Sequence, residues 1–386
     1  MSFDILPNEI IVHILNQTSW IGDLINASKV CRRWYHIVQD RLAHVKYLVY
    51  KAAKLRGSKR GRTNRLFADG LDFQRDVLFY KGSPKHDKTN LVTCVKNLPN
   101  VNMVEVYEYN GIVEKLVECL FTYRQDVIGV WHHDPFTDKS DKFRVSTVII
   151  EYGPSPNFQQ LLTGSVTVEL ANILPRLVNL KRLHIDFFEP NSLVGYNGPP
   201  FEYIEMLELA GLEQLNLLDL VDRCPNLKSM SLNFVRCSDF GLTDTKNLNL
   251  ENLVLEYEDE SYQSWPILLP FLKKFPNLSA LAIRNNSAFH DLLVREVLHL
   301  FPRLEILDVR GCPLTDAILQ HINSAKEKSK IKLDKFIWGP IPDDYYLREL
   351  SDPVVDGTDF LEQIFPNSFP NIPIFLRLES PETQQD

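Results

Sequence analysis

One pattern constrains this chain more than any other: a frame of apolar residues, L-x-x-L-x-L, that returns at nearly constant intervals. It reads Leu180-x-x-Leu183-x-Ile185, Ile204-x-x-Leu207-x-Leu209, Leu227-x-x-Met230-x-Leu232, Leu250-x-x-Leu253-x-Leu255, Leu278-x-x-Leu281-x-Ile283 and Leu304-x-x-Leu307-x-Val309. Successive starts lie 24, 23, 23, 28 and 26 residues apart. The later positions of each frame alternate apolar with other residues, the period of a strand whose leucines share one face. One such strand and its return cannot bury that face alone, so the units must stack. Some frames follow a proline, as in CPNLKSMSLNF from Cys224, FPNLSALAIRN from Phe275 and FPRLEILDVRG from Phe301. Between frames the pattern turns helical, as in DLLVREVLHLF from Asp291 to Phe301.

Before residue 170 the spacing is irregular. LPNVNMVEVY begins at Leu98, and Val145-x-x-Val148-x-Ile150 is the next frame. A last strand is expected at Leu333-x-x-Phe336-x-Trp338. Beyond it, the proline-rich stretch from Gly339 reads as a cap followed by a disordered ESPETQQD end.

The opening is of a different kind. Pro7 suits the first position of a helix, and Glu9 then sits where the helix dipole favours a carboxylate. Ile10, Ile11, Ile14 and Leu15 give that helix a broad apolar face. Gly22 breaks the pattern, Asp23 is expected to cap a second helix from Leu24 to about Val30, and a third begins near Cys31 with Trp34, Ile37 and Val38. Three short helices cannot bury all of these faces against one another, so a partner or the rest of the chain must cover the remainder.

Those residues carry a resemblance. Leu6-Pro7-x-Glu9-Ile10, Ile14-Leu15, Asp23-Leu24 and Val30-Cys31-Arg32-Arg33-Trp34, in that order, resemble an F-box, with Asn16-Gln17-Thr18 where the family usually has a further leucine. The resemblance implies that Leu6, Pro7, Ile10, Ile14, Leu24, Val30, Cys31 and Trp34 line or support the contact with a Skp-type adaptor, and through it a cullin. The later frames, at their period of 23–28 residues, resemble leucine-rich repeats. RCSDFGLTD (236–244) and GCPLTDAIL (311–319) resemble the cysteine-containing class, in which the cysteine packs inside and a Thr-Asp pair, here Thr315-Asp316, opens the next helix.

The expected fold is therefore α/β: an N-terminal three-helix F-box followed by a leucine-rich-repeat solenoid, a curved parallel sheet with outer helices. The boundaries are 1–45 for the F-box, 46–66 for a basic helical or loop connector, 67–338 for the repeats and 339–386 for the cap and tail. By resemblance the chain is a non-catalytic substrate receptor of an SCF-type ubiquitin ligase, with an F-box scaffold that ubiquitinates nothing, or a receptor for a non-protein ligand, as alternatives. The residues flanking the second leucine of each frame, and the one after the third, are expected on the open concave face. They make Arg182, His184, Asp186, Asn233, Glu256, Arg284, Asp308 and Arg310 candidates for holding a substrate protein.

Composition narrows the rest. A net charge of −8 argues against wholesale binding to nucleic acid or an anionic membrane. No run approaches the roughly 18 apolar residues of a membrane span, and the N-terminus lacks a basic n-region. The six scattered cysteines form no CxxC pair, which fits reduced thiols in the cytoplasm or nucleus. Arg41 to Arg65 holds nine Lys/Arg and no acid, read as a helix with a solvated basic face and a GSKRGR loop. Trp131-His132-His133-Asp134 reads as a surface loop and not a metal site, because no paired Cys or HExxH helix accompanies it. No nucleotide-binding or nucleophile-elbow motif appears, so no catalytic residue, cofactor or metal is assigned.

Overall fold

The structure is a computed structural model. It describes residues 6–18, 20–52, 76–82, 95–106, 119, 122–123, 127–132, 157–164, 174–186, 199–212, 218–234, 245–257, 264–327 and 331–340. The chain divides into two compact units between residues 163 and 164.

The second unit carries the regular frames. Its strands are β6 (Arg182–Asp186), β7 (Met206–Leu212), β8 (Ser229–Phe234), β9 (Asn252–Tyr257), β10 (Ala280–Arg284), β11 (Ile306–Asp308) and β12 (Lys335–Ile337). They pair in chain order and all in parallel. Parallel neighbours need a crossover return. Helices α4 (Leu218–Asp222), α5 (Trp265–Leu272), α6 (Asp291–Leu300) and α7 (Ala317–Glu327) lie in four of those returns.

Register follows from the frame. Leu183, Leu207, Met230, Leu253, Leu281 and Leu307 stand side by side across the strands, with Phe336 next in line. Every residue of the six frames is at most 2 % exposed. The frames are held level at their starts. The carbonyl before each strand accepts two successive N–H groups of the next: Lys181 from Glu205 and Met206, Glu205 from Lys228 and Ser229, Lys228 from Glu251 and Asn252, at 2.9–3.1 Å. The same bracket continues through Glu251, Ser279 and Glu305.

The asparagines before three of the frame leucines, in Pro-Asn-Leu at 225–227 and 276–278 and in Leu-Asn-Leu at 248–250, show their purpose here. The Asn226 amide donates to the Glu202 carbonyl (2.7 Å), Asn249 to Pro225 (2.9 Å) and Asn277 to Leu248 (2.8 Å), so each turn is stitched to the preceding one. Cys312 lies as expected toward the interior, its thiol donating to the Ile283 carbonyl at 3.2 Å. Thr315 and Asp316 stand directly before α7 as expected, their carbonyls accepting the Ile318 and Leu319 N–H groups, and Thr315 also reaches backward: its N–H and hydroxyl both donate to the Asp291 carboxylate at the start of α6.

The first unit contains α1 (Asn8–Asn16), α2 (Ile21–Ser28) and α3 (Arg32–Ala43), then β1 (Tyr47–Ala52), β2 (Val77–Gly82), β3 (Met103–Val106), β4 (Gly129–His132) and β5 (Gln160–Gly164). These strands are also parallel, but β1 lies between β2 and β3, so the order is β2-β1-β3-β4-β5.

Two sequence expectations are corrected. The 46–66 connector is not helical or looped at its start, because Tyr47–Ala52 is a strand. Tyr47 and Val49 are buried on one side of it and Leu48 on the other, so the segment is covered on both faces. Trp131 and His132 belong to β4, not to a loop. Strands β4 and β5 carry degenerate frames, Val127-x-x-Val130 and Phe158-x-x-Leu161, whose third positions are His132 and Thr163. The frame at 145–150, the 236–244 segment, GSKRGR and the tail beyond residue 340 lie outside the described residues.

Leu253 stands in the middle of the leucine row and is fully buried, whereas Leu248 is 60 % exposed in a turn. Leu253→Ala should lower the unfolding free energy by about 2–5 kcal/mol, while Leu248→Ala should change it by about 0.5 kcal/mol or less. Chemical denaturation monitored by circular dichroism compares the two.

Candidate functional site

The opening helices build a small core of their own. Pro7 precedes α1 with φ −56° and ψ 152°, and its carbonyl accepts the Ile11 N–H at 3.2 Å. It is thus the capping residue, not the first helical one. Helix α2 starts earlier than its pattern implies: Trp20 is its N-cap, Gly22 is inside the helix, and Asp23 sits in the first turn, where its charge still favours the dipole. Cys31 caps α3 in extended conformation. Helices α1 and α2 both pack on α3, and α2 also meets β2. Ile11, Leu15, Ile21, Leu24, Val38 and Leu42 form the buried contact.

What these helices leave uncovered is the informative part. Ile10 and Ile14, one turn apart, are 47 % and 42 % exposed, and Val30, ahead of α3, is 61 % exposed. Val12, Trp20 and Tyr35 add further exposed apolar surface. Monomers seldom leave so many large apolar side chains to water within one small segment.

One cation organises the segment. The Arg33 guanidinium donates from Nε to the Asn8 carboxamide oxygen and from Nη2 to the Leu6 carbonyl. It clamps the start of α3 to the entry of α1, which brings Leu6–Ile10 and Val30–Trp34 together. The sequence reading missed Arg33 because it sought apolar anchors, although the Arg32-Arg33 pair among them was a visible signal. Of the eight expected contact residues, Pro7, Ile10, Ile14 and Val30 are exposed and Leu6, Cys31 and Trp34 half-buried. Leu24 is fully buried and so supports the site from within.

The sheet of the second unit presents the other expected site, and here the expectation is corrected. Arg182, His184, Glu256, Arg284, Asp308 and Arg310 do lie on the face opposite the leucines, but all are buried. Asn233 is half-buried, and Asp186 closes β6 outside the described side chains.

The charges are consumed by one another across neighbouring strands. Arg182 binds Glu208 through two bonds of 2.8 and 2.9 Å, and His184 Nδ1 lies 3.5 Å from the same carboxylate. Arg284 donates twice to Asp308 Oδ2, at 2.9 and 2.7 Å, and its Nη1 lies 3.9 Å from Glu256. Arg310 completes the set on Asp308 at 3.1 and 2.9 Å. Ala280, Ala282, Ser229 and Ser231 share this face. Tyr257, the last residue of β9, is buried as well. Buried pairs of this kind fix geometry more than they add stability.

Residues 3–48 match the F-box-like family model. F-box domains bind Skp-type adaptors in SCF complexes. The match covers the three helices and the start of β1, and the strand array lies outside it. No curated protein matches the chain. Within the F-box-like segment, the division between buried Ile11, Leu15, Ile21 and Leu24 and exposed Ile10, Ile14 and Val30 separates its own core from its outward face.

Burial alone would raise the Asp308 carboxyl, but the adjacent Arg284 and Arg310 guanidinium groups hold it below the ordinary 3.8. A depressed carboxyl stabilises the fold above its unfolded value, and that stabilisation is lost as pH falls through the lower folded one. Asp308→Asn should therefore destabilise the second unit by roughly 3–5 kcal/mol at pH 7. The gap to the unsubstituted protein should stay level down to about pH 5 and narrow only below about pH 4. Denaturation curves across that range measure it.

Proposed function

We propose that this chain is a non-catalytic substrate receptor of an SCF-type ubiquitin ligase. The F-box-like segment docks on a Skp-type adaptor and through it a cullin, and the strand array holds the protein to be ubiquitinated. The observation that carries the reading is the exposed set Ile10, Ile14 and Val30 on a segment whose own core is already complete. Buried apolar anchors of this kind dominate protein interfaces.

The array is of the leucine-rich-repeat type. Support comes from the 23–28-residue period, the parallel strands in chain order and the turns stitched by Asn226, Asn249 and Asn277. A stiff array suits such a receptor, since ubiquitin transfer depends on holding a substrate lysine near the conjugating machinery. Work in the cytoplasm or nucleus fits the free thiols: burial pushes both Cys224 and Cys312 up to about 12, far from reactive.

A binding titration with purified Skp-type adaptor tests the assignment. Ile10→Asp and Val30→Asp should each weaken binding by roughly 30-fold, the equivalent of about 2 kcal/mol per anchor. Both should leave the melting temperature unchanged, because neither side chain belongs to the core. Leu24→Ala should do the opposite and lower the melting temperature first. Full adaptor affinity in the folded Ile10→Asp, Val30→Asp double variant would overturn the assignment.

A further inference from the structure

The sheet face expected to hold a substrate is filled by its own ion pairs, but the first unit carries an open site elsewhere. A cavity of about 630 Å³ runs along the starts of its strands. Its floor is a single row, the residues immediately before β2, β1, β3, β4 and β5: Asp76, Lys46, Asn102, Ile128 and Gln159. His44, Asn100 and Asn157 stand above that row. The volume falls in the range of ligand sites, roughly 300–1,000 Å³.

The chemistry of the lining selects among ligands. Charge is compensated: Lys46 Nζ lies 3.5 Å from the buried Asp76 carboxylate. In the second unit the same row is also charged, with Lys181 and Lys228 both on Glu205. In the first unit the row keeps one charged pair, Lys46 and Asp76, and has the carboxamides of Asn102 and Gln159 and the apolar Ile128 in its other places. A compensated pair attracts neither a phosphate nor a cation. His44, whose Nδ1 lies 2.7 Å from the Asp40 carbonyl, is the one ring among the described lining residues, and no Trp, Tyr or Phe accompanies it to sandwich a base or a sugar ring.

The backbone of the row is already engaged. The carbonyls of Lys46, Asn102 and Ile128 each accept two N–H groups from the next strand. The Asn100 amide already donates to the Ala43 carbonyl, so recognition is left to the carboxamides of Asn102 and Gln159, which pair donor for acceptor with peptide groups. One of them is visibly unsatisfied: the Asn102 carboxamide oxygen is shielded from water and has no hydrogen-bond partner. An orphaned acceptor of this kind is costly, so Asn102 gains by rotating toward a donor entering the trough.

We propose that this trough binds an extended, uncharged stretch of a partner chain, held through its main-chain amides and through hydroxyl or carboxamide side chains. Five adjacent strands at about 4.8 Å spacing make the row about 19 Å long, which accommodates about six extended residues. The site does not depend on the adaptor reading, because it lies at the strand starts and not on the exposed face of the F-box-like segment. If that reading holds, the trough is where a substrate segment docks.

The test pans a random heptapeptide display library against the full-length protein, then measures the affinity of the selected peptides by fluorescence polarisation. Adaptor binding is measured in parallel on the same preparations. The proposal expects selected peptides rich in Ser, Thr, Asn, Gln and Gly and poor in charge. Their affinity should fall at least tenfold in Ile128→Arg, which blocks the floor, and in Gln159→Leu, a milder change that removes one amide. Melting temperature and adaptor affinity should hold in Gln159→Leu. Peptides that bind both variants as well as the parent protein sit elsewhere and overturn the site. So does a library that yields only charged or aromatic sequences, or nothing. Loss of adaptor binding with retained peptide binding would instead count against the adaptor reading alone.

Discussion

The structure depends on parallel strands held level. Each pre-strand carbonyl accepts a pair of N–H groups from the next strand, so neighbouring frames cannot slide by one residue without breaking both bonds. A one-residue slip would exchange the two faces of a strand. Here that would carry Arg284 and Asp308 into the leucine layer and Leu281 and Leu307 out of it. The leucine rows and the ion pairs therefore enforce the same register from opposite sides. A buried guanidinium tolerates no position except opposite its carboxylate.

This arrangement explains why the charges were misjudged as accessible while their face was identified correctly. Alternation along Arg182-Leu183-His184-Ile185 says which side a residue faces, and the strand pairing agrees. It says nothing about what lies across the sheet. Glu208 reaches Arg182 only because β7 follows β6 by 24 residues, and Asp308 meets Arg284, also 24 residues away, for the same reason. Those are contacts between residues distant in sequence, and no window of one strand contains them.

The regular repeats were legible because each apolar position is occupied by Leu, Ile, Met or Val at constant spacing. In the first unit the same physics works with weaker letters. Val127 and Val130 are as buried as any leucine of the second unit, yet the third position of that frame is His132. Strand β1 hid for another reason: Lys51 within it and Lys46 just before it made it look like part of a basic connector, although Lys46 pairs with Asp76 and the buried Arg41 reaches the Val77 carbonyl. The F-box-like helices were the easier reading, since spaced apolar residues in a fixed order constrain more than any single position. Arg33, which joins the two halves of that segment, was concealed by its own polarity.

The account assigns two outward surfaces to this chain and makes the apolar one, at Ile10, Ile14 and Val30, the adaptor face. Hydrogen exchange of the full-length protein, with and without a Skp-type adaptor, tests that claim most directly. The account predicts added protection in peptides spanning residues 6–20 and 28–36, with the strands β6 to β12 unchanged. Unaltered exchange in both opening segments, under conditions where the two proteins form a complex, would contradict it.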